Sequence, residues 1–253
     1  MSNDHILHAC QINADKTGTN LQGASISEVI KSEDLAWVHM DGNNPETKKW
    51  LEKEISYLDS IIIEALLAEE TRPRILEVND GAMMILRGVN LNDQAAPEDM
   101  ISIRLWIDQN RIISIQRRPL KATKDIHDLL MAGKGPKNSG EFIHALSARL
   151  FERMEPVFSE LDDGLDAIEE RVMESPDHAE RQAITTIRKQ AIIFRRYIAP
   201  QRDVIAQLRT SEQPWLDQTH KRRLQESYDR VVRYVEDLDA MRERAQIIKD
   251  ELA

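Results

Sequence analysis

Seven histidines and a single cysteine are the residues of this chain best suited to holding a soft metal ion. His8 and Cys10 stand two positions apart, so on a strand they share one face, with His5 on the other. Imidazole and thiolate are zinc ligands, but one such pair makes half a tetrahedral site. The other histidines are scattered, and His220 is expected to meet solvent. The acid pairs Asp162-Asp163 and Glu169-Glu170 fall in helical sequence, where neighbours diverge by about 100° and make poor general acid/base partners. Gly133-Lys134-Gly135-Pro136 has the composition of a phosphate loop without its spacing. The G-x-G-x-x-G, G-x-S-x-G and H-E-x-x-H motifs are absent as well. Nothing assembles a nucleophile, its base and an oxyanion hole. The chain therefore reads as a non-enzyme, with no bound cofactor expected and no metal ligand assigned.

Charge and composition narrow the partners. The 253 residues carry a net charge of −10, whereas nucleic-acid binders usually carry a basic excess, so no nucleic acid is expected. Aromatic residues are 5% of the chain, too few for extended stacking platforms. One cysteine excludes an internal disulfide. The longest aliphatic runs, such as Ile61-Ile62-Ile63 and Ala65-Leu66-Leu67-Ala68, fall far short of the roughly 20 apolar residues that span a bilayer. No charged-then-apolar leader opens the chain. As given, it reads as neither secreted nor membrane-spanning.

Residues 1–135 read as a mixed α/β subdomain. Ile101, Ile103, Leu105 and Ile107 alternate with polar or bulky neighbours, Gln109-Asn110 turns the chain, and Ile113 and Ile115 alternate again. That period predicts an antiparallel hairpin with one buried face. A second hairpin runs from Arg74 to Leu91, with Asp80-Gly81 supplying the positive φ of a type I′ turn. Residues 6–12 and 36–40 are further strand candidates. Asn44-Pro45-Glu46 opens a helix whose stripe of Leu58, Ile61, Ile62, Ala65 and Leu66 is stopped by Thr71-Arg72-Pro73. Residues 121–132 form another short helix. The linker-like stretch from Gly133 to Gly140 marks the boundary.

Residues 141–253 read as a long-helix subdomain. From Phe142 to Val172 apolar residues step by threes and fours, with Pro156 an expected kink. Ser175-Pro176-Asp177 restarts the helix, which Ile184 to Leu208 continue past Pro200, giving an antiparallel hairpin. Residues 141–180 hold twelve acids against three bases, net −9, and residues 181–233 twelve bases against five acids, net +7. Complementary packing of the two helices is one reading; a charged surface facing ions is the other. Asp217 caps a last helix that reaches Ala253 without a terminating Gly or Pro, an expected stalk of roughly 54 Å leading beyond the sequence. The fold class expected is α+β: a mixed sheet covered by helices in an α/β/α sandwich, followed by three long helices, the last uncapped.

Residues 187–204, with Arg188-Lys189-Gln190, Arg195-Arg196-Tyr197 and Pro200-Gln201-Arg202-Asp203, resemble a helix of CorA-type metal-ion transporters, closest to the zinc-transporter (ZntB) branch. Glu70-Thr71-Arg72-Pro73-Arg74 resembles that family's helix-to-strand junction, and Pro214-Trp215-Leu216 the lead-in to its stalk. The resemblance implies a cytoplasmic funnel domain of a homopentameric zinc transporter on the cytoplasmic side of the bacterial inner membrane. Zinc is then cargo, and the membrane is reached through C-terminal helices absent here. The family's Gly-Met-Asn signature is also absent, so this chain holds neither pore nor filter. The motif residues are expected to be structural, their arginines pairing with acids of the 141–180 segment. Arg230, Arg233, Glu236, Asp237, Arg244 and Glu251 are expected on a funnel-lining or inter-subunit surface, with an ordinary solvated face as the alternative. A soluble coiled-coil scaffold without a transport role is the competing function.

Overall fold

The computed structural model describes residues 4–69, 71–174 and 178–252. Its element order is β1 (Ile6–Ile12), β2 (Gly18–Asn20), α1 (Ala24–Lys31), β3 (Ala36–Asp41), α2 (Glu46–Glu54), α3 (Ser60–Leu67), β4 (Arg74–Val78), β5 (Gly81–Gly88), β6 (Ile101–Ile107), β7 (Arg111–Gln116), α4 (Lys121–Met131), α5 (Ser139–Glu174), α6 (His178–Thr210) and α7 (Gln218–Glu251). The strands make one sheet in the order β2-β1-β3-β7-β6-β5-β4. Only the β3–β7 pair is parallel; the others are antiparallel. The expected α/β/α sandwich followed by three long helices is the architecture found, with no described strand after Gln116.

The sheet alternates between two apolar layers. Trp37, Met84, Leu86, Ile103, Leu105 and Ile112 pack with α4 and the three long helices. Val38, Met40, Met83, Ile85, Ile113 and Ile115 pack with α1, α2 and α3. The β6–β7 hairpin is therefore buried on both faces rather than one: Arg104 and Trp106 are 1% and 4% exposed. The alternation seen in the sequence separates two cores, because helices cover both sides.

The second hairpin also differs from its expectation. Val78 pairs with Gly81, so Asn79-Asp80 forms the two-residue turn. The positive φ falls on Asn79, at 53°, and not on the glycine. Gly81 is needed for another reason. A Cβ there would lie 2.3 Å from Trp106 Cζ2, on a ring pinned by its Nε1 donating to Asp108 Oδ2 at 3.0 Å.

The single helix expected after Asn44 is broken in two. Asn44 Oδ1 accepts from the Glu46 N–H at 3.0 Å at the start of α2. Asp59 then caps α3, accepting from the Ile61 N–H at 2.8 Å. Ile61 consequently points outward, 68% exposed, while Ile62, Ile63 and Leu66 are buried. The expected Ser175-Pro176-Asp177 cap lies outside the described residues.

Among the long helices, α5 and α6 run antiparallel, as expected: Phe158 meets Phe194 and Arg171 meets Glu180. Both helices continue through their prolines, Pro156 and Pro200. The larger packing partner of each is α7. One continuous apolar cluster runs from the sheet through Phe142, Phe158 and Phe194 to Ile248 and Leu252. Asp217 caps α7 as expected, but His220 is buried, 7% exposed, rather than solvated. Its Nδ1 accepts from the Asp217 N–H at 3.1 Å, and a Cβ on Gly140 would meet its ring at 2.2 Å.

Candidate functional site

The junction between α3 and β4 presents backbone carbonyls, those of Leu67 and Ala68 at the helix end and those of Glu69 and Thr71 beyond it. Three arginines from successive strands take them. Arg117 on the β7 side donates to Leu67 O at 2.6 Å. Arg104 on β6 donates to Ala68 O and Glu69 O at 2.6 and 3.1 Å. Arg87 on β5 donates to Thr71 O through Nε and Nη2 at 3.1 and 2.6 Å, and to Met100 O at 2.9 Å. Cations suit the negative end of a helix dipole. Burial, with Arg117 and Arg87 nearby, pulls the Arg104 guanidinium down to about 10.

The Thr71-Arg72-Pro73-Arg74 motif sits at this junction, with Pro73 buried and Arg72 and Arg74 exposed. Opposite it lies the α6 motif. The backbone N–H of Arg87 lies past the last β4–β5 pair, Arg74–Ile85, and donates to the buried Gln201 Oε1 at 2.7 Å. Arg87 stacks over Tyr197, 4.1 Å from ring centre to guanidinium carbon. Gln190 donates to Glu98 Oε1 at 3.2 Å. Lys189 is exposed, and the half-buried Arg188 leaves Nε without a partner. Among the described residues no ion pair joins the motif arginines of α6 to the acids of 141–180, where pairing was expected. Arg195 reaches Asp239 of α7 at 2.5 Å, and Arg202 lies 3.5 Å from its neighbour Asp203. Among the described residues Arg196 makes no ion pair.

Those α5 acids are held by α7 instead. Arg244 donates to Asp162 Oδ1 at 3.1 Å, to Glu169 Oε2 at 2.6 Å and to Asp166 Oδ1. The bonds to Glu169 and Asp166 hold its guanidinium well above the usual range. Desolvation, with Asp166 adding to it, raises the Asp162 carboxyl. Arg244 is thus paired with acids of its own chain, with its side chain 35% exposed. Arg233, Glu236, Asp237 and Glu251 are exposed and Arg230 is half-exposed, on the side of α7 away from its apolar stripe. Ile247 is also 59% exposed. The Pro214-Trp215-Leu216 lead-in is fixed to the β4–β5 turn: Gln213 Nε2 donates to Asn79 O and Trp215 Nε1 to Asp80 O, at 3.0 and 3.1 Å.

The N-terminal histidine and cysteine fall into the core. His8 packs against His39 and His127, with centroids 4.8 and 4.4 Å apart. The Ser114 hydroxyl accepts from Trp37 Nε1 at 2.8 Å and lies 2.7 Å from His39 Nδ1. No group of three His, Cys, Asp or Glu among the described residues is arranged to hold a metal. Burial pushes the Cys10 thiol up to about 12, so it is a poor thiolate. Burial lowers His8 to about 2 and His39 to about 4, and lowers His127 as well. The unfolded chain takes up these protons first. The stability these neutral rings retain is therefore present above about pH 6.5 and is lost as pH falls toward about 4. We expect a loss on the order of 1 kcal/mol per pH unit per histidine over that window. His8→Phe, which keeps a ring without a charge, should make the slope shallower. Denaturation midpoints from neutral to acid pH check this; an unchanged slope would refute it.

A helix-covered mixed sheet prolonged by three long helices is the fold of the soluble domains of divalent-cation transporters. The solved cytoplasmic domain of ZntB from Vibrio parahaemolyticus superposes with a TM-score of 0.83 at 23% identity, over 98% of this chain and 96% of that one. Full-length CmaX superposes with a TM-score of 0.89 at 34% identity, over 98% of this chain and 77% of that one. The family model described as "CorA-like Mg2+ transporter protein" matches residues 32–253. The chain belongs to the CorA-like family, whose members are ion transporters and not enzymes. Its relatives include the divalent cation transporter CmaX of Pseudomonas aeruginosa, 38% identical over 89% of this chain and 68% of that protein. The zinc transport protein ZntB of Pectobacterium atrosepticum is 34% identical with the same coverage. No helix among the described residues is long and apolar enough to cross a membrane.

Proposed function

We propose that this chain is the cytoplasmic funnel domain of a homopentameric transporter that carries zinc across the bacterial inner membrane. The observation that carries this reading is similarity over 89% of the chain to proteins named for divalent-cation or zinc transport. The helical half supports it. α7 buries one stripe against α5 and α6 and leaves Arg233, Glu236, Asp237, Ile247 and Glu251 uncovered. Those positions are available to neighbouring subunits, and the carboxylates among them attract cations. In this reading the domain meets the membrane through helices that α7 leads into, zinc is cargo, and the domain performs no chemistry on it.

The test uses the full-length transporter reconstituted in vesicles loaded with a zinc-responsive dye. Zinc influx that depends on the protein, together with a pentameric mass in detergent, is the expected result. Vesicles that stay dark while the protein is folded and inserted would overturn the cargo assignment. A stable dimer would overturn the assembly.

A further inference from the structure

On the side of the sheet that α1, α2 and α3 cover, the start of β1 meets α1 and α2 around a hollow of about 230 Å³. His5 and Glu54 both line it, with Gly23, Ser27 and Trp50 between them. His5 is 7% exposed, and neither of its ring nitrogens has a hydrogen-bond partner. The Glu54 side chain is 5% exposed, and its Oε2 has no partner either. Its other oxygen, Oε1, lies 3.5 Å from Lys53 Nζ, on a side chain that is 81% exposed. Two side chains more than nine-tenths buried thus carry unpaired polar atoms beside one hollow, a state that costs free energy unless something there pairs with them. Lys49 and Glu46 also line the hollow and pair with each other at 2.6 Å. Together Lys49, Lys53, Glu46 and Glu54 carry no net charge.

We infer that this hollow binds an amino acid, a small zwitterion that carries a primary ammonium group and a carboxylate. Glu54 Oε2 is an unpaired acceptor on a charged group, and its strongest partner is a cationic N–H. An imidazole keeps at least one N–H in either protonation state, and the strongest partner for that donor is an anionic oxygen. A ligand that supplies both, within a charged lining that sums to zero, is itself neutral overall. The two helices favour the same pair of charges. Glu54 is the last residue of α2, at the end where the helix dipole suits a cation. Gly23 is the N-cap of α1 and provides no side-chain cap, so the positive end of that helix is left for an anion. Trp50 and Ile26 give the ligand's carbon skeleton an apolar wall. A metal ion is less well served, because no group of three His, Cys, Asp or Glu among the described residues is arranged to hold one. This inference is independent of the identity of the transported ion.

The test is calorimetric titration of the chain with leucine and with γ-aminobutyrate, which separate an α-amino acid from one with its charges further apart. Butylamine and butyrate present the two charged groups on separate molecules. At least one of the amino acids should bind in the millimolar range or tighter, and neither butylamine nor butyrate should match it. Glu54→Gln keeps the side chain's shape and removes its charge. It should keep the thermal midpoint and weaken amino-acid binding by about tenfold or more. His5→Phe should also weaken binding. Because it removes two buried unpaired nitrogens, its midpoint without ligand should equal or exceed that of wild type. Glu52→Gln, at an exposed carboxylate of α2 outside the hollow, should leave binding unchanged. Tighter binding of leucine or of γ-aminobutyrate identifies the source, and either supports the site when Glu54→Gln weakens it. Binding that survives Glu54→Gln, that falls equally in Glu52→Gln, or that butylamine matches would overturn the inference. The absence of binding by either amino acid at millimolar concentration would overturn it too, and would mean that water fills the hollow.

Discussion

Phe194→Ala should cost the domain about 3–5 kcal/mol of unfolding free energy. Phe194 lies on α6 and is 1% exposed. Its ring meets Phe158 of α5 at 5.0 Å and 69°, and Phe158 meets Tyr234 of α7 at 5.1 Å and 84°. Edge-to-face pairs of this kind contribute beyond their buried area. Tyr234 is anchored in turn by its hydroxyl donating to Phe151 O at 3.0 Å. The three rings join all three long helices, so neighbours held elsewhere cannot close the cavity left by truncation. Urea denaturation should show a lowered midpoint with an unchanged slope. A loss below about 1 kcal/mol would mean the helices repack freely and that the ring cluster is not what aligns them.

Arg244→Glu should destabilise by roughly 2 kcal/mol at neutral pH, and most of that deficit should vanish in acid. Arg244 side-chain exposure is 35%, so solvent screens part of its attraction and the loss is smaller than for a fully buried pair. Reversal places another carboxylate among Asp162, Asp166 and Glu169. Crowded carboxylates bind protons more readily in the folded chain than in the unfolded one, so their folded pKa values rise. Stability is then regained as pH falls through those values. The wild-type environment already points that way, since desolvation raises Asp162 even with Arg244 beside it. Midpoints measured at pH 7 and near pH 5 decide it. An equal deficit at both would show that lost packing of the arginine stem, not charge, is responsible.

Much of the architecture was legible because period-two and three-four patterns are strong signals. The β6–β7 hairpin, the β1 and β3 strands, α4, the α5–α6 antiparallel pair and the Asp217 cap all follow from local sequence. The Asp59 break was not seen because the apolar spacing of Leu58, Ile62 and Leu66 continues across it, and periodicity alone does not register a competing side-chain cap. α1 and β2 are too short to carry a pattern. The arginine-filled helix end was missed since an arginine on a strand reads as solvent-facing. Arg104 occupies an inward position and donates to carbonyls 36 and 35 positions back along the chain, at Ala68 and Glu69. The one available hint was that Arg104 stands between Ile103 and Leu105 in a strand, Ile101–Ile107, whose other polar residue is the small Ser102. The acid partners of the long helices were misjudged for a related reason. Net charge per segment predicts attraction between α5 and α6, but does not reveal that α7 is the nearer neighbour of both.

The parallel β3–β7 seam has a consequence for how the domain is made. It joins residues as far apart as His39 and Ser114, 75 positions along the chain, and it is the sole link between the β1–β2–β3 half of the sheet and the β4–β7 half. During synthesis the first three strands have no central partner until β7 has emerged. Closing so long a loop precedes any reward from the contacts it makes, which slows folding. Until then Val38 and Met40, fully buried in the finished sheet, belong to an open edge that another chain can pair with. Co-translational crowding is thus the stage at which this domain is most exposed to misassembly.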